Sequence, residues 1–206
     1  MAFCQSDGFE HLMRPDGSGV HMLDEHWRAK YKAVCNGSWS PDGTRLVVAV
    51  TTGKEQVRTA VVDVDAATGL ARQTTELPFD SSGANRWSPD GAFLVIERRI
   101  ENDYNLWIVR PDRTDLRPLT NLKGNNRAPA WQTQPSAIYF RKDFKAIWRM
   151  PMRADGTAAG PAMPWMEIPG VRFDWNSFDV TPDSQHILVS IITPGSDIWL
   201  VERGPR

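Results

Sequence analysis

The sequence has few of the features that usually reveal a function directly. Basic and acidic side chains nearly balance, 24 against 25, so no cationic surplus is available for a phosphate backbone and we expect no nucleic-acid partner. No apolar run approaches the ~20 residues that a transmembrane helix needs, which predicts no direct membrane insertion. The N-terminal residues have neither the charged start nor the apolar stretch of a secretion signal.

Cysteine is nearly absent as well. Cys4 and Cys35 are the two cysteines, and they do not have the spacing of a zinc site. Two free thiols are favoured over a disulfide, which would require an oxidising compartment.

Motifs of the common enzyme classes are missing. The nearest approach to the Gly-x-Ser-x-Gly nucleophile turn, "GSWSP" at Gly37 to Pro41, lacks the second glycine. Neither a Gly-x-Gly-x-x-Gly nor a Walker A sequence occurs, and there is no His-Glu-x-x-His. We therefore predict no catalytic residues, no cofactor and no metal ligands in this chain.

What the sequence does contain is an internal repeat with three landmarks. The first is "WSPDG" before an apolar strand, the second is a turn such as "RPDGSG" at Arg14 or "RPDRTD" at Arg110, and the third is an aromatic residue in "NLWIV", "AIWRM" and "DIWLV". The repeat residues are Trp39, Ser40, Pro41, Asp42 and Gly43; Trp87, Ser88, Pro89, Asp90 and Gly91; Trp131; Thr181, Pro182 and Asp183 after Val180; and Trp107, Trp148 and Trp199.

Each repeat has the pattern of four antiparallel strands. Ser-Pro-Asp-Gly favours a type I turn between the first two strands, because Pro fixes φ, Ser bonds the backbone and Gly closes the turn. The strand after the turn is short and apolar without alternation, as in Leu46 to Val50 and Phe93 to Ile96, which predicts a strand covered on both faces. Four strands in 40 to 50 residues describe a propeller blade.

The repeat also resembles a known family. The pattern in Trp39–Gly43, in Trp87–Gly91, in Pro129-Ala130-Trp131 and in Leu119-Thr120 is similar to the WD40-like repeat of TolB-type β-propellers. The predicted fold is an all-β propeller of about four blades, in a single domain 1–206. The predicted parts are an end-of-blade hairpin and connection at 1–35, blades at 36–83, 84–127 and 128–175, and a three-stranded last blade at 176–206.

The strands do not close tidily into four blades. The N-terminal hairpin, at about Phe9 to Met13 and Gly19 to Leu23, has no predicted strand before it. We therefore favour part of a longer propeller over a closed four-bladed ring or pairing between chains.

Candidate functional groups have plain structural interpretations. The aspartates Asp16, Asp42, Asp90, Asp112, Asp155 and Asp183 are expected to form turns rather than bind cations. The histidines His11, His21, His26 and His186, with Asp24 and Glu25 beside His26, are expected at the surface or at blade edges. Trp165 and Trp175 fall outside the repeat and are expected to pack. Five basic residues near hairpins, together with Asn102, Asp103 and Tyr104, are expected to form a solvated rim, with a contact surface for an acidic partner as the alternative: Arg98, Arg99, Arg141, Lys142 and Lys145.

The resemblance implies a non-catalytic scaffold or sensor that contacts a protein partner or another domain of a longer parent chain, in a periplasmic or other extracytoplasmic compartment. Related propellers also serve as gating domains of prolyl-oligopeptidase-like peptidases, which is the first alternative. A metal-dependent propeller lyase, for which the histidines would matter, is the second.

Overall fold

The computed structural model describes residues 1–54, 56–81, 83–134, 136–167, 173–181, 185–191 and 197–202, with the side chains of 173–177, 190–191 and 197–202 left aside. These residues form eighteen strands and one four-residue helix, so the all-β prediction is confirmed. Within the same residues, no helix has the length and apolar character needed to cross a membrane.

Three sheets have four strands each, joined in chain order. The first contains β4 (Ala33–Trp39), β5 (Arg45–Thr51), β6 (Val57–Val64) and β7 (Ala71–Asp80). The second contains β8 (Arg86–Trp87), β9 (Leu94–Ile100), β10 (Asp103–Val109) and β11 (Arg117–Pro118). The third contains β12 (Asn126–Thr133), β13 (Ser136–Lys142), β14 (Ala146–Pro151) and β15 (Met163–Glu167).

Two further sheets have three described strands each. One contains β1 (Ala2–Cys4), β2 (Glu10–Leu12) and β3 (His21–Met22), and the other contains β16 (Phe173–Val180), β17 (His186–Ile191) and β18 (Asp197–Glu202). The predicted N-terminal hairpin is present as β2 and β3, but β1 precedes it and pairs with β2. Three residues are too few to show a sequence pattern, which is why β1 was not predicted. The helix α1 (Trp27–Lys30) lies between β3 and β4.

The second strand of each four-stranded sheet is buried on both faces, as the unbroken apolar runs predict. Leu46 to Val50, Leu94 to Ile96 and Ala137 to Phe140 are all buried. The last copy departs from the pattern, because Leu188 on β17 is 47% exposed between the buried Ile187 and Val189. One face of β17 is therefore accessible at that position.

The chain forms two compact units: residues 1–98 with 109–116, and residues 99–108 with 117–206. Each unit has its own apolar core. The core of the first unit contains Phe9, Leu12, Leu23, Trp27, Tyr31, Val34, Leu46, Val48, Val50, Ala60 and Val62. The core of the second contains Ala128, Ala130, Ala137, Tyr139, Ile147, Phe178, Val180, Ile187 and Val189.

Candidate functional site

The two "WSPDG" turns have the same hydrogen bonds. Gly43 N–H donates to Ser40 O at 2.9 Å, and Gly91 N–H donates to Ser88 O at 2.9 Å. Each serine hydroxyl donates to the aspartate two residues on, at 2.5 Å in both turns. The same hydroxyl accepts the N–H of the residue five positions later, at 2.9 Å in both turns. The serine thus serves the turn and the start of the next strand at once.

The fourth copy keeps part of this arrangement with different residues. Thr181 accepts the N–H of His186 at 3.0 Å through its hydroxyl and donates its own N–H to His186 O at 3.0 Å, again five residues on. Pro182 and Asp183 of this turn lie outside the described residues. In the third copy the pairing of β12 with β13 continues to the end of both strands, with Gln132 opposite Ala137 and Thr133 opposite Ser136.

The tryptophans at the first repeat landmark, Trp39, Trp87 and Trp131, differ in burial and in their contacts. Trp87 is 5% exposed, donates its indole N–H to Ser38 O at 3.1 Å and lies under the Arg45 guanidinium. Trp39 packs against the core of the first unit. Trp131 is half-buried, and its indole nitrogen is buried without a hydrogen-bond partner.

Five further tryptophans lie on strands. Trp107 on β10 pairs with Pro118, and Trp148 on β14 pairs with Phe140. Trp199 on β18 lies opposite Val189 on β17, and Trp175 lies on β16. The side chains of both tryptophans lie outside the described part of the structure. Trp165 packs edge-on against Tyr139 with ring centroids 4.8 Å apart, which agrees with a packing role.

The described turn aspartates bond their own turns. Asp16, Asp112 and Asp155 each accept the N–H of the residue two positions later, at 2.8 to 3.0 Å. The hydroxyl and N–H donors of these turns hold the pKa of each of the three carboxyls below its usual value. The bond from Ser40, followed by those from Thr44, lowers the pKa of Asp42 to about 2. These carboxylates therefore serve as turn acceptors.

The histidines bond nearby backbone or carboxylate groups. A ring nitrogen of His11 lies 3.0 Å from Phe9 O, and the two ring nitrogens of His21 lie 2.8 Å from Gly19 O and 3.3 Å from Gly69 O. His26 is exposed and lies 3.0 Å from Asp24. His186 is on β17, and among the residues that the structure describes no three His, Cys, Asp or Glu side chains are grouped to hold a metal.

The expectation of two free thiols is wrong. Cys4 on β1 and Cys35 on β4 form a disulfide, with their Cα atoms 5.2 Å apart. The N-terminal sheet places them together, because Val34 N–H bonds Gly8 O at 2.9 Å and brings β4 beside the β1–β2 turn. This proximity needs β1, which local sequence patterns did not predict.

A buried carboxyl beside the disulfide was also missed. Glu10 on β2 lies opposite Cys4, is 1% exposed and accepts the N–H of Gly37 at 3.2 Å. Burial raises the pKa of Glu10 to about 7, with the Gly37 bond acting weakly in the opposite direction. A Cβ at position 37 would lie 2.5 Å from the Glu10 carboxyl, so a larger residue there would displace this carboxyl from its present position. The one available sequence signal was an acidic residue between apolar ones in "FEHL".

Basic and aromatic side chains converge at one end of the second unit. We define the basic hairpin surface as residues 99–104, 123–127 and 141–145. Asp103 accepts the N–H of Gly124 at 2.8 Å, and Asp143 accepts that of Asn125 at 2.7 Å. Segment 123–127 is therefore bonded to the hairpins at 99–104 and 141–145. Lys142 reinforces this arrangement through Lys123 O at 2.7 Å.

Arginine–aromatic stacks lie within the same surface. The Arg127 and Arg99 guanidinium groups lie 4.5 and 5.7 Å from the Tyr104 ring centroid. The Arg141 guanidinium lies 4.1 Å from that of Phe144, which has a positive φ of 61° at the hairpin tip. Such a φ is rare for an aromatic residue.

Only part of the expected basic set lies on this surface. Arg98 belongs to the first unit, where it bonds Asp80 O and stacks on Phe79. Arg141 is 1% exposed, so it supports the hairpin from inside and is not an accessible contact residue. Arg99, Asn102 and Lys145 are exposed, as the sequence predicted.

No family model matches the sequence. Solved structures similar in fold include TolB from Acinetobacter baumannii, with a TM-score of 0.66 and 13% identity over 97% of this chain and 48% of that protein. A protein of Agrobacterium tumefaciens assigned as TolB has a TM-score of 0.61 and 19% identity, over 81% of this chain and 57% of its own. Puromycin hydrolase has a TM-score of 0.63 and 15% identity, over 94% of this chain and 31% of its own.

The chain thus spans from about a third to somewhat more than half of these proteins. At such identities the likeness establishes the fold and nothing further. The sheets, the turns and these similarities together show that the chain has the β-propeller fold of TolB-type structures.

Proposed function

We propose that this protein is a non-catalytic propeller module that binds another protein, or another domain of a longer parent chain. The observation that carries the proposal is the basic hairpin surface, where three separate segments are fixed by the Asp103 and Asp143 bonds. This rigid frame presents the exposed Arg99 and the half-buried rings of Tyr104 and Phe144, and arginine and aromatic residues are enriched in protein interfaces. Loops held by a rigid scaffold are where binding residues concentrate.

The groups that would serve catalysis in the alternatives have structural roles instead. The described turn aspartates accept hydrogen bonds within their own turns, and the rings of His11, His21 and His26 bond neighbouring carbonyl or carboxylate groups. This supports a binding role over the lyase reading, in which a histidine group would hold a metal.

Site-specific photo-crosslinking in the natural cell tests the proposal on the full gene product. A photoreactive phenylalanine analogue is placed at Asn102 in the basic hairpin surface and, as the matched control, at the exposed Lys54 in the first unit. We expect a discrete crosslinked protein from position 102 and none from position 54. Equal or absent crosslinking at both positions would contradict binding through these hairpins.

Catalysis is tested separately on the purified product. We expect no labelling by a serine-directed fluorophosphonate and no hydrolysis of prolyl peptide substrates. Labelling of a residue in this chain, together with hydrolysis, would replace the scaffold proposal with the peptidase alternative.

A further inference from the structure

The charges of the basic hairpin surface do not balance. Its segments contain six basic residues (Arg99, Lys123, Arg127, Arg141, Lys142 and Lys145) and three acidic ones (Glu101, Asp103 and Asp143). Arg127 and Arg141 are buried, whereas Arg99, Lys123 and Lys145 are exposed. The whole chain has a net charge of -1, so this surplus is local to one end of the second unit. A local field of one sign selects partners of the other sign and speeds their association.

The acidic residues of the surface are largely used internally. Asp103 accepts from Gly124 N–H and pairs with Lys123 at 3.0 Å, while Asp143 accepts from Asn125 N–H and contacts Lys142. The Gly124 and Lys123 bonds hold the pKa of Asp103 below its usual range, so this carboxylate stays ionised and paired at neutral pH. Glu101 is the remaining acidic residue of the surface, and Arg99 donates its Nε–H to the Glu101 backbone carbonyl at 3.0 Å.

An apolar contact lies next to these charges. Ile100 is 47% exposed. The rings of Tyr104 and Phe144 are half-buried, and arginine guanidinium groups stack on both. Phe144 keeps a positive φ, which is strained for a residue with a Cβ. Glycine or asparagine would fit this turn more easily. Backbone strain of this kind often marks a functional position.

We propose that the basic hairpin surface binds an acidic, extended segment of a partner protein, with carboxylates at Arg99 and Lys145 and an apolar side chain against Phe144 and Ile100. This inference rests on the proposed scaffold function and names the chemistry of the partner. The net negative charge of the chain argues against a nucleic acid as the occupant.

The test measures fluorescence anisotropy of a labelled decapeptide rich in glutamate with one central leucine, at low and at physiological salt. We expect binding that weakens with salt. Arg99→Ala with Lys145→Ala should weaken it about tenfold, since two exposed charge pairs are lost. The control variant, Lys54→Ala with Arg14→Ala, removes the same charge from exposed sites of the first unit and should change binding less than about twofold.

Phe144→Gly separates binding from folding. Glycine suits the positive φ, so the melting temperature should hold or rise while peptide binding weakens several-fold. Unchanged binding in both surface variants, or tighter binding of a ten-residue deoxythymidine strand than of the peptide, would overturn this inference. Crosslinking at position 102 without peptide binding would leave the scaffold function standing and reject the acidic partner.

Discussion

The first strands of two sheets, β4 and β12, each contain a β-bulge, but different residues stabilise the two bulges. β4 has a bulge between Cys35 and Ser38, with Asn36 at a φ of 62°, and β12 has one between Arg127 and Ala130, with Ala128 at a φ of 52°. The residue after the left-handed position stands two before the repeat tryptophan in both strands. It is Gly37 in the first and Pro129 in the second.

The difference lies in one N–H group. Pro129 has none, so its bulge leaves no donor to satisfy. Gly37 has one, and the Glu10 carboxyl from another sheet accepts it. In the second unit, proline removes the backbone donor at this position. In the first unit the donor remains, and it is bonded by a buried carboxyl that lies beside the disulfide. Repeats with the same backbone geometry can therefore differ in the contacts that stabilise it.

Removing the disulfide should have the largest effect on this comparison. Cys4→Ser with Cys35→Ser should lower the free energy of unfolding by about 3–4 kcal/mol, because a cross-link over a sequence separation of 31 restricts the unfolded chain. Urea unfolding measures the loss. Hydrogen exchange should quicken at 36–39 and stay unchanged at 128–131. If reductant does not destabilise the unaltered protein, the cross-link contributes nothing.

Glu10 should make stability depend on pH. Its pKa is raised from 4.5 to about 7 in the folded protein, so the folded state keeps its proton between those values while the unfolded chain loses it. Stability should fall by about 3 kcal/mol as pH rises from 4.5 to 7 and then level off. Glu10→Gln should remove this slope in urea unfolding at pH 5, 6, 7 and 8. An equal slope in both proteins would show that another group is responsible.

A double variant tests the proline solution directly. Glu10→Ala alone leaves the Gly37 N–H buried without its acceptor, which costs about 1–3 kcal/mol. Adding Gly37→Pro removes that donor and should recover part of the loss, as in β12. A double variant less stable than Glu10→Ala would mean that the two bulges are not interchangeable.

The repeat tryptophans should respond unequally to the same change. Trp87→Phe loses the bond to Ser38 O and weakens the Arg45 stack, at about 2 kcal/mol in all. Trp131→Phe should cost at least about 1 kcal/mol less, because its buried indole N–H has no hydrogen bond to lose. Thermal unfolding of the pair measures the difference, and equal losses would contradict this explanation.

The smallest effect should be a gain in stability. Arg113 has a φ of 76° at the turn position where Gly17 and Gly156 stand at 84° and 75°. Arg113→Gly should relieve the strain and stabilise the protein by about 0.5–1 kcal/mol, after the extra entropy of the unfolded chain is counted. Gly156→Arg is the reverse control and should lower the melting temperature. A lower melting temperature for Arg113→Gly would contradict the strain argument.

Local features of this molecule were predictable from its sequence, and contacts between distant segments were not. The turns at Ser40 and Ser88 and the buried strands after them follow from neighbouring residues, whose preferences act within a few positions. The Cys4–Cys35 disulfide, the burial of Glu10 and the burial of Arg141 depend on which distant strands meet. Arg141 stands in a basic run that looks exposed in the sequence, yet its strand position turns it inward.

The serine hydroxyls of the "WSPDG" turns have one more consequence, for covalent modification. A serine followed by proline looks like a phosphorylation target, but Ser40 and Ser88 are 3% and 1% exposed. Each hydroxyl already contacts a carboxylate, beside which a phosphate dianion would be repelled. A kinase would have to open the hairpin first, so these motifs are protected in the folded protein.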